Sequence, residues 1–130
     1  MVVSKEKPVS EQTKRNLYFV GSSLKDLQSF PQKVRRQVGF DLDMVQCGET
    51  PGSAKQLKGL SGVMELVERY NKDTYRAVYV ANIGDAIYVL HCFKKKSKQG
   101  IKTPKTDIDL IKQRLKEVKE ESKRSERHEK

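Results

Sequence analysis

The sequence predicts an α+β protein in which an N-terminal helical hairpin and a C-terminal helix pack against an antiparallel sheet. Two observations carry this prediction. Apolar residues recur at helical spacing in two segments, and three β-rich runs follow one another with short turn sequences between them. The length of 130 residues is that of one ordinary domain. The predicted order of elements is βααβββα.

The N-terminal part of the chain is predicted to form one strand and two helices. The run NLYFV at 16–20 is rich in aromatic and β-branched residues and is followed by Gly21, which indicates a short strand. A serine pair after this glycine offers N-caps for a first helical turn. Pro31 is expected as the first residue of a second helix, which Gly48 ends. The apolar face of this helix comprises Val34, Val38, Leu42 and Val45.

The middle of the chain is predicted to be a loop that leads into a three-stranded antiparallel meander. Residues 48–62 contain four glycines and a proline, which favours a loop. The β-rich runs at 63–70, 74–81 and 86–93 are separated by NKD and NIGD, and both sequences suit hairpin connections. Adjacent strands are therefore expected to pair.

The C-terminal part is predicted to form one helix. Thr103 and Pro104 offer an N-cap and a first helical residue. We expect a single domain over 15–118, between a flexible tail over 1–14 and a frayed, charged tail over 119–130. The helix carries an apolar stripe that is expected to pack on the sheet: Ile108, Ile111, Leu115 and Val118.

The charge balance narrows the class of function. Lys and Arg number 27 against 17 Asp and Glu, and the net charge of +10 favours polyanionic partners, with nucleic acid ahead of an acidic protein. No apolar run approaches the roughly 18 to 20 residues of a membrane span, and the start lacks the apolar stretch of a signal peptide. We therefore expect a cytoplasmic protein without a membrane partner.

The familiar signatures of metal and nucleotide chemistry are missing from the sequence. Cys47 and Cys92 have no CxxC partner that would build a zinc site. The glycines do not follow Walker or Rossmann spacing. The carboxylates are scattered without a paired constellation. We expect no metal or other cofactor, and any catalysis is expected from Arg, Lys and His.

Arg76 is a candidate anion ligand. It lies in the run TYRAVYVA, where alternation places it on the same face as Val78 and Val80, so a half-buried and oriented guanidinium is predicted. A guanidinium offers a planar fork of donors that suits a phosphate. The alternative is a structural ion pair with Glu65 or Glu68 on the adjacent strand.

A run of lysines without an opposing acid follows the last predicted strand, in FKKKSKQGIKTPK at 93–105. The run precedes a helix N-terminus, and ammonium groups combined with backbone N–H donors suit a phosphate backbone. A solvated lysine loop is the alternative. The lysines are Lys94, Lys95, Lys96, Lys98, Lys102 and Lys105.

Two further residues are candidates for chemistry. His91 ends the last strand beside the lysine run and could act as a base near neutral pH, although a lone strand histidine also serves as a packing residue. Lys58 in QLKGL lies between flexible glycines as a mobile cation, with a plain loop lysine as the alternative.

Five segments read in order form a more specific pattern. They are LKGL (57–60), ELVERY (65–70), YRAVYVA (75–81), DAIYVLHCFKKKS (85–97) and KTPKTDIDLIKQRL (102–115). The pattern resembles the phage-derived HigB-type toxins of the RelE/ParE toxin superfamily. The resemblance covers the chain from about Leu17 to Lys119.

The resemblance implies a RelE/ParE-like fold of the predicted element order. It also implies the toxin of a type II toxin–antitoxin system, an mRNA interferase that cuts messenger RNA on the ribosome and is neutralised by a helix-turn-helix antitoxin. An alternative in the same superfamily is a ParE-like toxin that binds DNA gyrase, or a ribosomal surface, without cutting RNA.

The family match and the chemistry of the residues together give a set of expected roles. Cleavage without a metal needs groups that stabilise charge, expected of Arg76 and Lys58, and groups that transfer protons, expected of His91 or Lys95. The other lysines of the run are expected to bind RNA: Lys94, Lys96, Lys98, Lys102 and Lys105.

Overall fold

The computed structural model describes residues 14–96 and 103–128, and in this part of the chain three helices pack on one five-stranded sheet. The predicted α+β class is confirmed, with one additional strand. The elements are β1 (Asn16–Phe19), α1 (Ser23–Gln28), α2 (Gln32–Gln46), β2 (Ala54–Gln56), β3 (Val63–Tyr70), β4 (Asp73–Ile83), β5 (Ala86–Lys96) and α3 (Lys105–His128).

The sheet has the strand order β1-β5-β4-β3-β2. The central strands β3, β4 and β5 form the predicted antiparallel meander. β1 pairs with β5 in parallel, whereas β2 pairs with the other edge of the meander in antiparallel fashion. β2 lies in the segment predicted to be a loop, and that prediction is wrong for AKQ at 54–56. Its strand conformation comes from pairing with β3 rather than from a local apolar pattern.

The sheet has two covered faces. The hairpin face packs against α1 and α2, and the α3 face packs against α3. Predicted alternation along β4 is confirmed, because Ala77 and Tyr79 belong to the apolar core on the hairpin face and Val78 and Val80 to the apolar core on the α3 face. Both cores therefore share the same central strands.

The helices present the predicted apolar faces but begin one residue later than predicted. Pro31 and Pro104 directly precede α2 and α3 rather than opening them. Each proline carbonyl still accepts the first helical hydrogen bond, from the backbone N–H groups of Arg35 and Ile108. The buried residues of α2 include Val34, Val38, Leu42 and Val45, and the apolar stripe of α3 packs in the core on the α3 face of the sheet.

α3 extends further than the sequence predicts. It continues from Val118 to His128, through a segment expected to be frayed. The Lys, Arg and Glu residues of this segment favour helix, and charge alone does not interrupt one. None of the helices in the described ranges is both long and apolar enough to span a membrane.

Candidate functional site

Arg76 is held on the α3 face by a buried ion pair. Its Nη1 donates to Oε1 of Glu65 on β3 at 2.8 Å, and the two side chains are 6% and 5% exposed. The structural ion pair considered from the sequence is therefore present, and the guanidinium is more deeply buried than predicted. Its Nε is also buried and has no hydrogen-bond partner among the described residues.

A β-bulge determines where His91 points. Val78 on β4 lies opposite His91, whereas the next residue, Tyr79, lies opposite Val89, so Leu90 is an additional residue on β5. Strict alternation would place the histidine on the hairpin face with Val89. The bulge shifts the alternation, so His91 faces α3 together with its cross-strand partner Val78.

Arg114 of α3 stabilises this bulge. Its Nη1 donates to the Leu90 carbonyl at 2.8 Å, and its Nη2 lies 3.2 Å from Oγ of Ser22. Gly21 has a φ of +58°, and a Cβ at this position would lie 2.7 Å from the Arg114 guanidinium. Glycine at this position therefore leaves room for the arginine.

Two contacts orient the His91 ring. Its Nε2 lies 2.6 Å from Oδ1 of Asp107 in the first turn of α3. The ring also stacks on Phe93, with 4.9 Å between the ring centroids. The second ring nitrogen, Nδ1, is buried and has no hydrogen-bond partner in the described part of the chain.

Lys95 occupies the next position along the same face. It pairs with Thr74 of β4, two residues beyond the pair formed by Phe93 and Arg76. The side chain is buried, and its Nζ has no hydrogen-bond partner among the described residues. Burial and then the positive charge of Arg76 lower the pKa of Lys95, while the carboxylates of Glu65 and Asp107 partly oppose that shift.

Arg76, His91 and Lys95 form what we call the cationic cluster. In residues 14–96 and 103–128, the buried side-chain nitrogen and oxygen atoms without a partner are Nε, Nδ1 and Nζ of these three residues. Buried polar atoms are normally hydrogen-bonded. A concentration of unused nitrogens on one face therefore suits an anionic ligand such as a phosphate.

Lys58 lies in a groove that adjoins this cluster. The groove has a volume of about 410 Å³, and its lining includes Lys55, Lys58 and Lys112. Glu65, which pairs with Arg76, lines the same groove. The structure thus brings Lys58 to the α3 side of the sheet, next to the residue that holds the arginine.

The remaining lysines do not form one surface. Lys94 points to the hairpin face opposite Tyr75, is exposed, and lies 3.8 Å from a carboxylate oxygen of Asp73. Lys105 is exposed at the start of α3, and Lys96 is the last residue of β5. Lys98 and Lys102 lie outside the described residues, as do positions 1–13.

A second polar group lies on the hairpin face, and no local pattern in the sequence indicates it. Asp41 of α2 is buried and accepts hydrogen bonds from Ser53 Oγ at 2.7 Å and from Gln37 Nε2 at 3.0 Å. Burial, a hydrogen bond to Asp41 and the charge of Asp41 raise the pKa of Glu68 to about 7. We call Asp41, Glu68, Ser53 and Gln37 the carboxyl cluster.

The carboxyl cluster corrects the expectation that the carboxylates are scattered. Asp41 and Glu68 come from different elements, and only the packing of α2 on the sheet brings them together. Burial and the charge of Asp41 also raise the pKa of Tyr79. Within the residues that the structure describes, no group of three His, Cys, Asp or Glu side chains is placed to hold a metal ion.

Asp107 is the other important residue that sequence reasoning missed. A signal was present, since an acidic residue in the first turn of a helix is common. That signal indicates a helix end rather than a partner for a histidine. Contact with His91 depends on the bulge in β5 and on the docking of α3, and neither leaves a local pattern.

The architecture defines a protein with the RelE fold. A structure of a double mutant of E. coli toxin RelE in the free state aligns with 81% of this chain and 98% of its own, with a TM-score of 0.52 and 16% identity. The RelBE2 toxin–antitoxin complex from Mycobacterium tuberculosis covers 65% of this chain and 94% of its own, at 17% identity and a TM-score of 0.46. An archaeal RelE–RelB complex from Pyrococcus horikoshii covers 67% and 99%, at 23% identity and 0.45.

The family follows from the sequence match. Residues 25–116 match the family model described as phage derived protein Gp49-like (DUF891). The chain belongs to this family, and the matched range includes the cationic cluster and Asp107. No curated protein matches the chain.

Proposed function

We propose that this protein is the toxin of a type II toxin–antitoxin system and acts as a HigB-type mRNA interferase. The observation that carries the proposal is the cationic cluster, with its three buried and unpartnered nitrogens on one sheet face of the described chain. The RelE fold and the net charge of +10 support it. The substrate is messenger RNA, and we place the reaction on the ribosome in the cytoplasm.

The proposed reaction is transesterification by the RNA itself. The 2′-hydroxyl attacks the adjacent phosphate, the bond to the 5′-oxygen breaks, and a cyclic phosphate and a 5′-hydroxyl result. Arg76 and Lys58 stabilise the charge that develops on the phosphate oxygens, and His91 and Lys95 transfer protons. The nucleophile belongs to the substrate and the charge-stabilising groups are side chains, so we assign no role to a metal or other cofactor.

The proposed antitoxin is a helix-turn-helix protein with an acidic segment. A toxin with a net charge of +10 attracts an acidic partner, and such a partner can cover the cationic cluster by charge complementarity. Neutralisation would then follow from competition with the RNA phosphate for the same nitrogens.

The proposal is tested by expressing the protein without a partner and mapping RNA ends. We expect growth arrest and new 5′-hydroxyl ends in abundant transcripts. Arg76→Ala should abolish both effects, whereas Lys94→Ala, which removes an exposed charge on the opposite face, should preserve them. Growth arrest with intact transcripts would contradict the nuclease and favour a ParE-like toxin that binds gyrase or a ribosomal surface.

A further inference from the structure

The contact between His91 and Asp107 determines which nitrogen of the ring carries a proton. Asp107 Oδ1 lies 2.6 Å from His91 Nε2, and the two side chains are 9% and 23% exposed. An ionised carboxylate can only accept a hydrogen bond. Nε2 must therefore carry the hydrogen that forms this bond.

The same contact leaves the lone pair of the other ring nitrogen unused. In a neutral imidazole with its proton on Nε2, Nδ1 holds a lone pair and can accept a proton. Nδ1 is buried and has no partner within the described ranges. His91 lies on the sheet face that carries Arg76 and Lys95, and the contact of Nε2 with Asp107 together with the stack on Phe93 holds the ring in its orientation.

We propose that Asp107 is a positioning residue that fixes His91 as the Nε2–H tautomer, so that Nδ1 is the base for the 2′-hydroxyl of RNA. This inference rests on the proposed ribonuclease function and assigns the two proton transfers to separate residues. The proton moves from O2′ to His91 Nδ1 while the bond from O2′ to phosphorus forms. The bond from phosphorus to O5′ breaks, and the Lys95 ammonium protonates O5′.

The environment of Lys95 is consistent with the role of acid. Burial and the neighbouring Arg76 lower the pKa of this lysine, which makes its proton easier to donate. Proton exchange with water after product release returns both residues to their starting states. Asp107 itself touches no reacting atom in this scheme.

A purely structural role for Asp107 would give different results. In that case the carboxylate would only attach the N-terminus of α3 to the sheet. Asp107→Asn retains a hydrogen-bonding side chain at that point, so an anchoring role would be largely preserved. The amide can either accept from Nε2–H or donate to bare Nε2, so it does not select one tautomer.

The test compares four proteins by long-range ¹H–¹⁵N correlation of the imidazole and by cleavage kinetics. They are wild type, Asp107→Asn, Asp107→Glu and the control Asp109→Asn, which removes an exposed acid from the same helix. His128→Gln in each background leaves His91 as the one remaining histidine.

We expect Nε2–H in the wild type and the control, and mixed tautomers in Asp107→Asn. The cleavage kcat of Asp107→Asn should fall about 10²-fold or more with little change in KM. The wrong tautomer has no base at Nδ1, and a neutral amide does not stabilise the imidazolium that forms when Nδ1 takes the proton. Asp107→Glu should restore part of the loss.

The outcomes that overturn the inference differ from those that overturn the function. An Nδ1–H tautomer in a wild-type protein that cleaves RNA would overturn the inference alone. So would an Asp107→Asn variant with mixed tautomers and undiminished kcat. A folded wild type that cuts no RNA, on or off the ribosome, would overturn the proposed function and the base assignment with it.

Discussion

The polar clusters on the two faces of the sheet differ in whether their groups have hydrogen-bond partners. On the hairpin face, the carboxyl cluster is internally hydrogen-bonded, and a raised pKa allows Glu68 to remain uncharged up to about pH 7. On the α3 face, all three residues of the cationic cluster are buried, and each has a nitrogen without a partner among the described residues. The same sheet thus carries one satisfied and one unsatisfied polar cluster.

This difference suggests that the carboxyl cluster serves the stability of the fold and the cationic cluster serves the binding of a ligand. The carboxyl cluster links three parts of the chain, namely α2, the segment that precedes β2, and β3. Its groups pair with one another, so it needs no ligand. An unpartnered buried polar atom, whether donor or acceptor, destabilises a fold by about 1 to 3 kcal/mol, so a ligand that pairs with it gains that energy. Variants on the hairpin face should therefore change stability alone, whereas variants on the α3 face should change activity as well.

The largest expected effect is that of Arg76→Ala. Loss of a charge-stabilising donor lowers a rate by about 10² to 10³. The structure adds a cost that the sequence did not predict, because Glu65 would remain as a buried charge without its partner. Breaking such a pair destabilises by about 3 to 5 kcal/mol. RNA cleavage and urea unfolding measure the two effects.

A double variant separates those two effects. Arg76→Ala with Glu65→Gln removes the stranded charge, so stability should recover most of the way while cleavage stays lost. Cleavage that recovers together with stability would mean that Arg76 only stabilises the fold. That result would contradict the functional difference proposed between the two faces of the sheet.

The next largest effect is expected for Arg114→Met. The variant removes the donor to the partly buried Leu90 carbonyl, and an acceptor left without a partner there costs up to about 1 to 3 kcal/mol. Because the bulge at Leu90 orients His91, cleavage should fall as well. Thermal unfolding and cleavage are compared with Lys116→Met, which removes one exposed positive charge from the same helix. Equal behaviour of the two variants would contradict a role for the bulge.

A smaller effect is expected on the hairpin face from Glu68→Gln. With a pKa raised from 4.5 to about 7, folded wild type keeps a proton that the unfolded chain releases in this interval. The group's stabilising contribution is complete below pH 4.5 and is lost as the pH rises through 7. The amide does not titrate, so the variant lacks this loss.

The measurement is the urea midpoint of both proteins between pH 4.5 and 8. Wild type should lose stability relative to Glu68→Gln as the pH rises, and cleavage relative to the amount of folded protein should be the same for both. Parallel pH profiles would show that the carboxyl pair does not share a proton in the folded protein.

Local patterns in the sequence were sufficient for most of the fold. The apolar faces of α2 and α3, the three central strands and the placement of Arg76 follow from periods of 3.6 and 2 residues. β2 could not be predicted, because its three residues have no apolar alternation and depend on an edge of β3 that is distant in the chain.

Long-range packing limited the prediction of the site. The sequence singles out His91 because it is a histidine beside a lysine run. The direction of its side chain depends on the bulge at Leu90, and no glycine or proline marks that bulge in the sequence. The lysine run reads as one surface in the sequence, although adjacent residues of a strand face opposite sides of the sheet. Alternation alone would have separated Lys94 from Lys95.

That separation gives the smallest and most specific expected effect. Lys95→Met and Lys94→Met each remove one lysine from adjacent positions of β5, on opposite faces. If Lys95 contacts a phosphate, its loss should reduce the log–log salt slope of RNA binding by about 0.7 and weaken affinity severalfold. Lys94→Met should leave the slope unchanged. The affinity and the salt slope of both variants are measured by fluorescence anisotropy between 50 and 200 mM salt with a 2′-O-methyl RNA, which lacks the nucleophile. Equal losses of affinity and slope in the two variants would mean that RNA binding depends only on the total charge of the protein.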